Sequence, residues 1–170
     1  CGTPEGLNEM VSFRVGPTDL NYLDMTVKWA TGSITWKNIC QNALTSTKVA
    51  ALNQSVKTCG YLLEPTGNIL PAGSKVILVT SIYMDTAANK FASLKDTVYI
   101  IFQCDSIKQG HFANAGNAGS RTFNIRFSNP VNCGDTVVYF PDSLGQSATN
   151  GHRVNYDWAG NQVYVNKGCQ

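Results

Sequence analysis

Charge is what this sequence has least of. Asp, Glu, Lys and Arg make up 14% of its 170 residues, against about 25% in an ordinary soluble domain. Ser, Thr, Asn, Gln and Gly must wet the surface instead, a composition of secreted β domains more than of cytosolic enzymes. The 13 basic residues never cluster and the net charge is only +2, so the basic footprint of a nucleic-acid-binding domain is missing. Long apolar runs are missing too. The longest, around Val76 to Val79 and Val98 to Phe102, are strand-sized and far short of the ~20 residues of a membrane helix; a soluble domain that does not span the membrane is expected. No charged leader with an apolar core precedes Cys1, so a mature form or a piece of a longer exported precursor is expected.

Catalytic and cofactor motifs are equally scarce. The chain has no G-x-S-x-G elbow, no H-E-x-x-H, no G-x-x-x-x-G-K phosphate cradle and no EF-hand loop. Its two histidines, His111 beside Gly110 and His152 after Gly151, read as exposed loop residues, and the acids Glu5, Glu9 and Glu64 stand isolated. The expectation is a non-enzyme with no cofactor and no metal. Trp29 and Trp36 flank the turn Thr31-Gly32-Ser33 and are the candidate ligand-contact aromatics, a platform on which a sugar would stack; Trp158 continues the inward set Val154 and Tyr156 and reads as core.

Cysteine is plentiful but never closely paired. Cys1, Cys40, Cys59, Cys104, Cys133 and Cys169 lie far apart, without the short knuckle that aims two thiolates at one zinc ion and without C-x-x-C redox spacing. An even number of widely spaced cysteines in a charge-poor chain points to disulfides made in an oxidising compartment. Six cysteines allow 15 connectivities. The expected set is Cys1 with Cys169, Cys40 with Cys59 and Cys104 with Cys133, the first tying the two ends together. A lipid anchor on Cys1 would leave an odd thiol and is disfavoured.

The length suits one core, about two-thirds of the unfolded surface being buried in a domain of this size. Residues 1–170 are therefore read as a single disulfide-stabilised β-sandwich, one unit of a longer or polymeric protein. Phe123, Ile125 and Phe127 alternate with polar residues in Arg121 to Phe127, as do Val11, Phe13 and Val15, and Val154, Tyr156 and Trp158; period two marks half-buried strands. Lys75 to Thr80 and Thr97 to Cys104 are apolar on both faces, which predicts central strands covered on both sides. Turn signals separate the runs, among them Pro71-Ala72-Gly73 and the hairpin-like Ala159-Gly160-Asn161. Thr45 to Lys57 breaks the pattern. Val49, Leu52 and Val56 fall at helical spacing behind Thr45, Ser46 and Thr47, any of which could cap a short helix. Asn114 to Ser120 and Asp142 to Gly151 read as loops. Eight to ten short strands with one helix in a disulfide-stapled loop give an all-β sandwich.

Two segments together resemble the lamin-tail family of immunoglobulin-like β-sandwiches: Ile69-Leu70-Pro71-Ala72-Gly73-Ser74-Lys75-Val76-Ile77-Leu78-Val79, and Gly134-Asp135-Thr136-Val137-Val138-Tyr139 followed by Asp142 to Gly145. The likeness spans roughly Asn8 to Val165. Closer still is a similarity to bacterial versions of this module in large surface proteins of gliding Bacteroidota exported by type IX secretion, carried by Asn8 to Val11, Thr58 to Gly60, Phe102 to Cys104 and Asp157 to Asn161. That resemblance implies an adhesin-like or structural role outside the bacterial cell, at its surface. Five of the eight Asp residues open a triplet of Asp, Ser or Thr, and an aliphatic residue or Ala, where ordinary usage gives about one. The triplet resembles the O-glycosylation acceptor of that phylum, with Thr86, Ser106 and Ser143 as candidate sites. Turn-forming Asp and strand-starting Thr-Val explain the two Asp-Thr-Val cases, at Asp96 and Asp135, more plainly, which leaves Thr86, Ser106 and Ser143 as the better candidates. Asn53-Gln54-Ser55 matches the N-glycosylation sequon, weakened by its helical setting. The functional expectation is a structural or adhesive module whose partners are other surface domains or copies of itself; the alternative is a carbohydrate-binding module taking glycans.

Overall fold

The structure, a computed structural model, describes residues 4–112, 119–144, 151–157 and 159–166. Along the chain run the single turn α1 (Glu5–Asn8), β1 (Met10–Arg14), β2 (Leu20–Asn21), β3 (Met25–Lys28), β4 (Ile39–Cys40), α2 (Ala43–Gln54), β5 (Tyr61–Leu63), β6 (Ile69–Leu70), β7 (Lys75–Val79), β8 (Thr97–Gln103), β9 (Arg121–Phe127), β10 (Cys133–Tyr139), β11 (His152–Tyr156) and β12 (Gln162–Asn166). The fold is all-β and sandwich-like, with α2 its one helix of more than a turn among the described residues. Among the described residues twelve short strands stand where eight to ten were expected, because β2, β4 and β6 are two-residue pieces too short to leave a period in the sequence.

One layer is a five-stranded sheet ordered β1-β7-β8-β4, with β5 also along β8; the other is β10-β9-β3. Pairing is antiparallel except where β8 runs parallel to β7 and to β5. Alternation explains how the larger sheet is covered twice. Val76 and Leu78 of β7 and Ile101 of β8 point into the sandwich against Met25, Val27, Phe123, Ile125 and Phe127. Val79, Val98, Ile100 and Phe102 point the other way, under Val49 and Leu52 of α2 and Leu62 of β5. β7 and β8 are thus the doubly buried central strands that their two-faced apolar runs predict. Each side chain fully buried in this way contributes about 1.5–3 kcal/mol. Arg121–Phe127 is a strand over the residues expected, with Phe123, Ile125 and Phe127 inward.

The cap of α2 is Asn42, not Thr45, Ser46 or Thr47. The Asn42 side chain accepts from Leu44 N at 2.9 Å and Thr45 N at 3.3 Å, while Thr45 Oγ1 accepts from Asn42 N at 2.9 Å. This capping box satisfies donors that the first helical turn leaves orphaned. Thr45 and Ser46 then donate to the Glu64 carboxylate at 2.8 and 2.6 Å, setting an anion at the positive end of the helix.

β11 and β12 form the expected hairpin. Gly160, at φ +81°, takes a backbone conformation that Gly adopts readily, and the Asp157 carboxylate accepts from the N–H groups of Ala159 and Asn161, each at 2.9 Å. Trp158, assigned to the core from sequence, lies outside the described residues.

The disulfide pairing differs from expectation. Cys40 bonds Cys104, joining β4 to the residue that follows β8, and Cys59 and Cys133 are free thiols. The pairings of Cys40 with Cys59 and of Cys104 with Cys133 are therefore replaced, and the bridge closes a longer loop than expected, one that still contains α2. The physical reason is the sheet itself: Cys40 and Phe102 are register partners of an antiparallel pair, which brings the Cα atoms of Cys40 and Cys104 to 5.0 Å, inside bridging range. Cys1 and Cys169 lie outside the described residues.

Candidate functional site

The densest gathering of polar side chains sits where β8 ends. Gln103 closes that strand with its side chain fully buried, and Asp105 follows two residues on, also buried. Asp105 folds the chain back on itself: its Oδ1 accepts from Ser106 N at 2.7 Å and Ile107 N at 3.0 Å and pairs with the Lys37 ammonium at 3.0 Å. Burial pushes this carboxyl up, but the Ile107 N–H, the Lys37 ammonium and the Ser106 N–H more than reverse it and hold it below the ordinary carboxylate range.

His111 fills the centre. Sequence placed it in an exposed loop; its ring is in fact wholly buried, packed edge-on to Trp29 at a centroid distance of 4.8 Å. Its Nε2 lies 3.0 Å from Gln103 Nε2 and 3.3 Å from Asp105 Oδ2, and its Nδ1 lies 3.4 Å from Glu9 Oε2. Glu9 also accepts the His111 N–H at 2.6 Å. Trp29 Nε1 donates to Gln103 Oε1 at 2.9 Å, which fixes the amide so that its Nε2 donates toward the imidazole.

These placements decide much of what the cluster can do. A catalytic histidine gives one ring nitrogen to an orienting group and keeps the other for nucleophile or substrate. Both nitrogens of His111 face groups of the protein itself. The nearby hydroxyl, Ser81 Oγ, donates to the Asp105 carbonyl at 2.5 Å, not to the imidazole. Among the described residues no group of His, Cys, Asp and Glu is arranged to hold a metal ion.

No family model, curated protein or solved structure matches this chain.

The tryptophans do not form a platform. Trp29 is 4% exposed and lies inside the sandwich against Phe112 and Phe123, so its assignment as a contact aromatic is corrected: its large apolar surface is used in the core. Trp36 is half-buried and its Nε1 donates to Met25 O at 3.0 Å. His152 opens β11 and is half-buried rather than exposed in a loop. Of the O-glycosylation candidates, Ser106 and Ser143 are exposed and Thr86 is half-buried. The Asp preceding two of them has a structural role, Asp105 as above and Asp85 through Oδ1 accepting from Ala87 N at 2.8 Å and Ala88 N at 3.1 Å. Asn53 of the sequon is engaged at both ends of its carboxamide by Leu62.

An open groove of about 540 Å³ crosses the outer face of the smaller sheet, lined by Thr26, Arg126, Val131, Cys133, Asp135 and Thr136 among others. Asp135 is the one carboxylate lining it among the described residues, whereas a glycosidase needs two facing each other. Neither tryptophan reaches it.

Proposed function

We propose that this domain is a non-catalytic structural or adhesive module of an exported cell-surface protein or surface fibre. The observation that carries the proposal is the burial of its densest polar cluster among the protein's own groups: His111, Glu9, Asp105 and Gln103 gather with Trp29 at the end of β8. A site whose imidazole is wholly buried, its Nδ1 facing Glu9 at 3.4 Å without a hydrogen bond, and whose indole is turned into the core stabilises a scaffold. The Cys40–Cys104 disulfide favours an oxidising compartment, and the charge-poor surface fits the same setting. The resemblance to lamin-tail modules of Bacteroidota surface proteins, carried by Ile69 to Val79 and Gly134 to Tyr139, supports a place at the bacterial surface. Ser106 and Ser143 are accessible for a glycan there.

The carbohydrate-binding alternative has the weaker support, since it now rests on Trp36 alone. The test has two arms. Antibody against the domain should label intact cells of the source organism, and label confined to permeabilised cells would overturn export. On a glycan array the domain should give no signal; binding that disappears in Trp36→Ala would replace this reading with the carbohydrate-binding one. Among the described residues no helix is long and apolar enough to cross a membrane.

A further inference from the structure

Residues 4–9, which lead into β1, bond two loops that lie on either side of β8 in the sequence. Toward residues 105–112, Gly6 N donates to Lys108 O at 3.2 Å, and the Glu9 carboxylate accepts from His111 N at 2.6 Å and Phe112 N at 3.4 Å. Toward residues 80–89, Gly6 O accepts from Thr80 Oγ1 at 3.0 Å, and Asn8 Oδ1 accepts from Asp85 N at 2.9 Å and Asn89 Nδ2 at 2.8 Å. The strap is also braced within itself, Asn8 Nδ2 and Leu7 N donating to Pro4 O at 2.9 and 3.2 Å.

What holds this strap is polar. Among the described residues neither apolar cluster includes any of residues 4–9, whereas Met10, the next residue, packs on one of them. Local opening takes least free energy where few apolar contacts are buried, so the strap is the part of this region that can leave while both cores stay closed. Its fit is nonetheless close. A Cβ on Gly6 would lie 2.0 Å from Gln109 O and 2.7 Å from Ile107 O, both backbone atoms.

Its departure has a chemical consequence. The His111 ring is wholly buried among Trp29, Gln103, Asp105 and Glu9. Trp29 and Gln103 belong to the sandwich, and Asp105 is fastened to Ser106 N and Ile107 N. Glu9 is the neighbour that the strap supplies, its carboxylate 14% exposed and 3.4 Å from Nδ1.

We propose that residues 4–9 are a latch, which closes over His111 and makes the two loops open and shut as one unit while the sandwich stays folded. Closed, it gives the N–H groups of Asp85, His111 and Phe112 their acceptors and seals the imidazole. Open, it frees those three groups together and admits solvent to Nδ1. The latch goes beyond the structural-module reading and does not rest on it.

Native-state amide exchange of the full chain reads the unit directly. Asp85, His111 and Phe112 should exchange with a common opening equilibrium and faster than Ile100 and Ile101 of β8, which await global unfolding. Gly6→Ala forces the strap off the Gln109 backbone without altering any of the three acceptors. It should speed all three amides about tenfold and leave Ile100 and Ile101 the slower. Asn8→Ala removes the acceptor of Asp85 N and leaves Glu9 in place, yet in a single unit His111 and Phe112 should speed with Asp85. Diethyl pyrocarbonate acylates an accessible imidazole nitrogen; its labelling of His111, read by peptide mass against His152 as reference, should rise in Gly6→Ala by the same factor as the His111 amide exchange. Should Gly6→Ala fail to fold, Asn8→Ala serves for both readouts. Three amides that exchange only at the rate of Ile100 and Ile101, acceleration confined to Asp85 in Asn8→Ala, or a His111 no more reactive in the variants than in wild type would each overturn the latch.

Discussion

Asn53 lies against Leu62 as a neighbouring strand would, its Nδ2 donating to the Leu62 carbonyl at 2.9 Å and its Oδ1 accepting from the Leu62 N–H at 2.8 Å. One side chain thereby completes the backbone bonding of β5 and fastens α2 to the sheet. Asn53→Ala leaves both backbone groups of Leu62 unpaired beneath the helix and should cost about 1–3 kcal/mol, read from the urea midpoint. Exposure of the β5 edge, with Tyr61 and Leu63 already turned outward, should also raise the rate of aggregation. Asn53→Asp keeps the acceptor and loses the donor, and should fall between the two. Peptide mapping of native material should find Asn53 unglycosylated, because a glycan on Nδ2 displaces the bond to Leu62.

The thiols divide sharply. Alkylation of the native protein before reduction should label Cys59 and Cys133 and spare Cys40 and Cys104, whose peptides remain linked. Cys59 is exposed and should react faster than the half-buried Cys133. The bridge closes a loop of 64 residues, for which chain entropy gives about 4 kcal/mol. Replacing Cys40 and Cys104 together with Ala should lower stability by that order, read by denaturant unfolding. A linked Cys40–Cys59 peptide would contradict the fold around β4.

What the sequence revealed and what it hid follow the range of the forces involved. Strands β7, β8 and β9 are legible because their patterns are local: two-faced apolar runs for the first two, strict alternation for Arg121 to Phe127. The α2 helix is legible from Val49 and Leu52. Its cap is not, because Thr45 is itself the third residue of a capping box, three places inside Asn42, and no apolar periodicity marks the start of the helix. Disulfide pairing depends on which strand lies beside β8, and β4 is two residues long. His111 was hidden for the same reason: the carboxylate on its backbone N–H belongs to Glu9, 102 positions earlier. A lone His next to Gly carries no sign of burial, and Trp29, which covers it, sits by a turn that reads as exposed.

Tyr156 gives the hairpin an alkaline limit. Burial first, and then the neighbouring Tyr164, push its phenol up to about 12, and its hydroxyl donates to Val138 O. A phenolate cannot donate. Because the folded value lies above the unfolded ~10, the contribution of this group is fully present below pH 10 and is lost as pH rises toward 12. Absorbance at 295 nm should show one tyrosine ionising about two units late, together with faster amide exchange in β11 and β12. Tyr156→Phe should abolish the late step and loosen the hairpin at neutral pH, by about 1 kcal/mol for the lost bond.

Asp105 sets the acid limit. Its carboxyl is held below the ordinary value because burial, which raises it, is outweighed by the Ile107 N–H, the Lys37 ammonium and the Ser106 N–H. A depressed carboxyl contributes stability above the unfolded value of about 3.9 and loses it as pH falls through the lower folded value. Wild type should therefore lose stability steeply below about pH 4, measured as urea midpoints from pH 7 downward. Asp105→Asn keeps an acceptor for Ser106 and Ile107 but discards the charge that Lys37 pairs with. It should be less stable at pH 7 by about 1.5–3 kcal/mol, the worth of hydrogen bonds to a charged group, and its acid limb should be flatter. Lys37→Met separates the two effects: with the ammonium half-exposed, it should cost under about 1 kcal/mol and leave the acid limb largely in place. An Asp105→Asn protein with the wild-type acid limb would mean that another carboxylate governs it.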